Sequence, residues 1–142
     1  MFWRKPFSGA YTSVYEYQGF NFSECGPSAL AMIVNKSKGY KMVTPADCRK
    51  LYPTPSWWYA KHIELAAHYY GVRLTPRNSV SLDRHAGIYL STYWNFGHWV
   101  IAWKEGSTVK VLDPKRGYYS TTERNFKSRL KSNVWLISTV YF

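Results

Sequence analysis

The sequence predicts an α+β protein, with helices in its first half and an antiparallel sheet in its second. Between residues 25 and 70, apolar residues recur at helical spacing behind recognisable helix starts. From Gly87 on, the pattern changes to short runs rich in β-branched and aromatic residues. Composition agrees, since 142 residues with 46% hydrophobic and 19% aromatic content can bury one core and line a large sheet. Without repeats, low-complexity tracts or linker-like runs, residues 1–142 are expected to form a single domain.

Residues 1–24 read as an aromatic, irregular approach segment, least regular over 1–17. A first helix is predicted from Cys25 to about Asn35, with Ala29, Leu30, Met32 and Ile33 as its apolar stripe. Pro27 in its first turn sacrifices no intrahelical bond. Thr44, Pro45 and Asp47 mark the cap and first turn of a short helix reaching about Tyr52. A third helix is expected from Ser56 or Trp57 to Tyr70, stopped by Gly71. Its His62 and His68 are six apart and do not share a face, so they are read as structural or surface residues. No credible third ligand accompanies them, and no metal site is expected. The strands are GIYLSTYW, HWVIAWK, STVKVLD and the C-terminal VWLISTVYF, with hairpin-like joints at NFG and EG. Between the last two, TTERNFKSRLK reads as a short helix capped by Thr121 or Thr122.

The formal net charge is +11, and six basic residues fall between Lys115 and Lys131 against Glu123 as the only acid there. Such a field suits a solvated helix face, or an anionic partner such as nucleic acid, cell-wall polymer or an acidic protein. No nucleic-acid motif accompanies it, which favours the solvated face. No stretch approaches the roughly 18 to 20 apolar residues of a membrane span, and MFWRKPFSGAY lacks the apolar run of a secretory signal. Two cysteines in different predicted helices make no disulfide framework. A cytoplasmic location, or carriage inside a larger assembly such as a phage particle, is therefore expected.

If Glu105 and Gly106 form a two-residue hairpin loop, Ala102 faces Val109, Val100 faces Val111, and His98 faces Asp113. Opposed Cβ atoms lie roughly 4.5 to 5.5 Å apart, so a carboxylate there can hold an imidazole N–H. A surface pair of little consequence would look the same in the sequence. Cys25 is open to two readings as well. Free cysteine is often plain core, yet a helix N-terminus favours a thiolate, and an imidazolium nearby does so further. Glu24, next to it, opposes one. Together Cys25, His98 and Asp113 supply nucleophile, base and orienter for acyl transfer.

ECGPSALAMIV, followed by GHWVIAW and then VKVLDPKRGYYSTTERNF, resembles the papain-like cysteine peptidases that process bacteriocin leaders at double-glycine sites, and their stand-alone relatives. In that family Cys-Gly-Pro or Cys-Gly-Ala opens the central helix, Gly-His starts a strand and Asp-Pro ends the next. A glycine, a capped helix and a closing strand come after these, matched here by Gly117, Thr121 to Leu130, and Val134 to Phe142. The resemblance spans about Gln18 to the C-terminus. It implies a papain-like fold, peptide-bond hydrolysis by Cys25, His98 and Asp113, and no metal or organic cofactor. It also implies an oxyanion hole built from the Gln18 amide, or Asn21 in its place, with the Cys25 backbone N–H.

The resemblance further implies a peptide or protein substrate cut after small residues, with Trp99, Trp94 and Phe20 as candidate cleft walls. The chain contains no Gly-Gly pair, so such a substrate must come from another chain. Two competing functions remain open. One is a cell-wall amidase or endopeptidase using the same chemistry, of the kind phages carry. The other is a papain-like fold kept as a non-catalytic binding or structural module.

Overall fold

The computed structural model describes residues 11, 13–78, 82–93, 96–131 and 135–142. Within them, helices α1 (Cys25–Lys38), α2 (Pro45–Leu51) and α3 (Ala60–Tyr69) come first. Strands β1 (Thr75–Arg77), β2 (Gly87–Tyr93), β3 (Phe96–Glu105), β4 (Thr108–Asp113) and β5 (Gly117–Thr122) come next, and then helix α4 (Glu123–Ser128) and strand β6 (Trp135–Ile137). The strands pair antiparallel in the order β1-β6-β2-β3-β4-β5. The α+β plan is the one the sequence predicts.

Strand β3 is apolar on both faces, and the alternation of its side chains divides the core in two. Trp99, Ile101 and Trp103 meet Leu30, Ile33 and Val34 of α1 and Ile63 and Ala66 of α3 on one face. Val100 and Ala102 meet Tyr89, Val109, Val111 and Phe126 of α4 on the other. Each large side chain buried in this way contributes about 1.5–3 kcal/mol. Helix α1 is buried all round from Cys25 to Asn35 because it lies between the sheet and the other helices.

Helix α1 runs three residues past its expected end, to Lys38, and stops at Gly39, whose φ of 81° is the left-handed conformation that glycine adopts without strain. Asn35, 2% exposed, secures the link from α1 to α2: its Oδ1 accepts from the backbone N–H groups of Met42 and Val43 at 2.8 and 2.9 Å, and its Nδ2 donates to Val43 O at 2.8 Å. Helix α2 starts as expected, with the Thr44 hydroxyl accepting from Asp47 N and the Asp47 carboxylate accepting from Thr44 N. Helix α3 begins at Ala60 rather than at Ser56 or Trp57. The preceding stretch, rich in proline, is irregular, and His62 Nδ1 accepts from Tyr59 N to cap the helix. Thr122, one of the two expected caps, accepts from Asn125 N at the start of α4.

Three sheet features depart from expectation. Strands β1 and β5 are additional. The expected closing strand shortens to Trp135–Ile137, because Ser138 bonds Ala86 O through both its backbone N–H and its hydroxyl, and Val140 N turns onto the Ser138 hydroxyl. In the β3–β4 hairpin, Glu105 pairs with Thr108 and Ala102 with Val111, so the loop is Gly106–Ser107 and not Glu105–Gly106. Gly106, at φ 62°, takes the first loop position, where a turn of this kind needs a positive φ. The register is displaced by two residues, which keeps every side chain on its expected face but sets His98 diagonally from Asp113. The expected residues Trp94 and Val134, and residues 1–10 and 12 of the approach segment, lie outside the described residues.

Candidate active site

Cys25 is the first residue of α1, reached through a single 3-10 turn at Phe22–Glu24 that the Asn21 carboxamide caps by accepting from Ser23 N at 3.0 Å. His98 lies near the start of β3 and Asp113 ends β4. The helix is pressed against β3 by the core described above, so the mouth of α1 arrives beside His98. The backbone N–H of Trp99 donates to Cys25 Sγ at 3.5 Å. All three side chains are within the protein: Cys25 is 0% exposed and His98 and Asp113 are each 1% exposed.

Asp113 Oδ1 is a shared acceptor. It lies 2.5 Å from His98 Nε2 and receives the backbone N–H groups of Lys115 at 2.8 Å and Arg116 at 3.1 Å. The Pro114–Arg116 turn thus fixes the carboxylate before the imidazole meets it. Tyr15 adds a further anchor, donating its hydroxyl to Asp113 O at 2.6 Å, and burial together with the Asp113 charge raises the Tyr15 pKa so that the phenol stays protonated. With Nε2 given to Asp113, the other ring nitrogen of His98 is left for Cys25. Burial, the largest single influence on the ring, pulls its pKa down. Hydrogen bonding to Asp113 and Cys25, with the charges of both, outweighs burial and raises it to about 9. His98 therefore carries a proton at neutral pH.

Gln18, 7% exposed, is tied to the same turn through its backbone N–H, which donates to Pro114 O at 2.9 Å. Its Nε2 donates to Asn21 O at 3.1 Å, which fixes the orientation of the amide, and its buried Oε1 has no partner among the described residues. The Asn21 side chain is occupied with Ser23. Of the expected cleft walls, Trp99 is buried. Its indole donates to Trp58 O at 2.8 Å and stacks on Trp57 with ring centroids 5.6 Å apart. Phe20 is exposed and sits under the Lys115 ammonium, 5.0 Å from its ring centre. Lys115, which the sequence groups with a solvated basic run, instead donates to Gly19 O at 2.9 Å.

Several site residues carry no clear mark in the sequence. Trp57, Leu90, Phe96 and Gly97, with Lys131, line a hollow of about 390 Å³ at the residue preceding His98. The consecutive Trp57 and Trp58 were a visible signal of it, although their predicted helical setting hid their role. Arg49 pairs with Glu24 at 2.9 Å, and nothing in the sequence singles it out. Cys48 is buried in α2, and burial pushes its thiol up to about 12. Among the described residues no three His, Cys, Asp or Glu side chains are grouped to hold a metal ion, and no helix is long and apolar enough to cross a membrane.

No protein-family model matches the sequence, and no curated protein matches it. Solved structures do match the fold. The peptidase domain of Streptococcus ComA, a bifunctional ABC transporter of a quorum-sensing pathway, superposes with a TM-score of 0.71 at 17% identity, over 89% of this chain and 98% of that one. A double-glycine-motif protease from an AMS/PCAT transporter, solved with its leader peptide, superposes with a TM-score of 0.70 at 20% identity, over 88% of this chain and 90% of that one. The chain therefore has the papain-like α+β fold of these peptidase domains.

Proposed function

We propose that the chain is a cysteine peptidase that cuts a peptide supplied by another chain. The observation that carries this is the joining of Cys25, at the mouth of α1, with His98 of β3 and Asp113 of β4. Cys25 sulfur, its proton transferred to His98, attacks the carbonyl carbon of the scissile amide. A C–S bond forms, and the carbonyl electron pair moves to oxygen. The Gln18 amide, whose Nε2 keeps a second hydrogen, and the first-turn N–H of Cys25 stabilise that oxyanion. As the tetrahedral intermediate collapses, the C–N bond breaks and the leaving amine takes the proton from His98. Water, deprotonated by the same ring, then hydrolyses the thioester and regenerates Cys25. Asp113 holds the imidazole in place and favours its charged form.

The bond cut lies after small residues. The double-glycine motif named for one fold neighbour supports this. The test is iodoacetamide labelling followed by a peptide panel. Cys25 should label much faster than Cys48 near neutral pH, and cleavage should be lost in Cys25→Ala. Equal labelling of the two thiols would remove the nucleophile assignment. A panel in which bulky residues before the cut serve as well as glycine would remove the small-residue preference.

A further inference from the structure

A carboxylate next to the nucleophile is a liability. Glu24 immediately precedes Cys25, at the N-cap position of α1, where its charge disfavours a thiolate. The structure pairs that charge with Arg49 of α2. Nη2 lies 2.9 Å from Glu24 Oε1, in a setting where the two side chains are only 18% and 28% exposed. The same guanidinium also donates to four backbone carbonyls: Nη2 to Ser23 O at 2.8 Å and Ser56 O at 2.6 Å, and Nη1 to Pro55 O at 3.1 Å and Tyr52 O at 3.3 Å. A lysine could supply the charge but not this planar set of donors.

Those carbonyls belong to two segments that both reach the site. Ser23 and Glu24 form the last turn before Cys25. Residues 52–56 lead into Trp58, whose indole donates to Tyr52 O at 3.0 Å and lies under the Arg49 guanidinium, and whose carbonyl receives the Trp99 indole. Trp99 in turn presents its backbone N–H to Cys25 Sγ. Arg49 touches no reacting atom, so its influence passes through Glu24, against which those carbonyls hold it.

We propose that Arg49 is a positioning residue that sets the reactivity of Cys25 by cancelling the Glu24 carboxylate, its guanidinium being held in place by the carbonyls of the turn before α1 and of the 52–56 segment. The proposal rests on Cys25 being the nucleophile of the function proposed above. Removal of the cation leaves the partly buried Glu24 carboxylate unbalanced one residue before the nucleophile.

The experiment measures the rate of carbamidomethylation of Cys25 by iodoacetamide from pH 5 to pH 9, read by mass spectrometry with Cys48 as the slow internal reference. Arg49→Gln is expected to slow Cys25 about tenfold at pH 7 and move its profile to higher pH. Adding Glu24→Gln to that variant should restore the rate to within about threefold of the parent. Glu24→Gln alone, which leaves the cation unbalanced, should move the profile to lower pH. It decides the matter if Arg49→Gln does not fold. A folded Arg49→Gln with an unmoved profile, a slowed variant that Glu24→Gln fails to rescue, or an unmoved Glu24→Gln would each overturn the proposal. Parent Cys25 labelling no faster than Cys48 would overturn the nucleophile itself, whereas a fast parent with unmoved variants overturns only the role of Arg49.

Discussion

Asp113→Asn separates charge from geometry at the site. Asp113 Oδ1 alone accepts from His98 Nε2, Lys115 N and Arg116 N, so an asparagine that keeps its oxygen there retains all three bonds. The two backbone donors force that orientation, because an amide NH₂ turned towards them would meet N–H groups. The fold should therefore hold, and only the negative charge is lost. In the parent, the partners of His98 raise its pKa from 6.5 to about 9, a net stabilisation of the imidazolium of about 3 kcal/mol. Asp113 is the foremost of those partners, so its neutral isostere should give up at least half of this, about 1–2 pH units, which leaves half or more of the ring charged at pH 7 and cuts the charged fraction about 5- to 50-fold at pH 9.

The assay is the pH dependence of peptide cleavage and of Cys25 alkylation, with thermal melting beside it. For Asp113→Asn the basic limb should move towards neutrality while the melting temperature at pH 9 and above stays close to that of the parent. Because the folded pKa of His98 is raised, its contribution to stability is fully present below about pH 6.5 and is lost as pH rises to about 9. That loss should flatten in Asp113→Asn. Asp113→Ala, which strands two backbone N–H groups as well, should also cost on the order of 1–3 kcal/mol in stability at all pH values. An unmoved pH profile in Asp113→Asn, or a variant as unstable as Asp113→Ala, would refute the reasoning.

A Cβ added at Gly26 would meet Trp58 Cβ at 3.0 Å, and Trp58 is fastened at both indole and carbonyl, so Gly26→Ala should destabilise by about 1–3 kcal/mol. An unchanged melt would show that the mouth of α1 can move away from Trp58. Asn35→Ala removes the partners of Met42 N, Val43 N and Val43 O, and chemical denaturation should report a loss of roughly 3 kcal/mol, with less than 1 kcal/mol arguing that water replaces the carboxamide. Thr44→Ala, which breaks the reciprocal cap with Asp47, should cost about 1 kcal/mol by the same measurement, and no loss would mean that the exposed cap contributes nothing to α2.

What could be read from the sequence was local chemistry. Thr44, Pro45 and Asp47 announce α2 because a cap and a first-turn proline act within four residues, and Cys25 at a helix mouth is legible for the same reason. The His98–Asp113 pair could be anticipated although the loop was displaced, since a slip of two residues preserves the faces of a strand. What failed needed tertiary information. Strand β5 reads as the run-up to the cap of α4, and β1 is a three-residue edge strand containing Pro76, exposed throughout and without apolar alternation. Four of the bonds from Arg49 end on backbone carbonyls, which every residue type carries, and its partner Glu24 stands 25 positions away, so no local pattern of side chains could announce them.

The abundance of aromatic residues has a physical consequence for the site. Cys25 belongs to the helical half and His98 to the sheet, and among the described residues no backbone hydrogen-bond ladder joins the two. Their relative position depends on side chains that cross the boundary. Trp99 extends from β3 to donate to Trp58 O, Trp57 stacks on Trp99 at an interplanar angle of 21°, and Trp58 lies against the backbone of α1 at Gly26. Indoles suit this task because each combines a large rigid contact with one directed donor, fixing both distance and rotation at small conformational cost. Smaller apolar residues could bury comparable area while leaving the helix free to slide by a fraction of an ångström. At the proposed nucleophile, whose imidazole must stay within hydrogen-bonding range, such slack would reduce reactivity before it reduced stability.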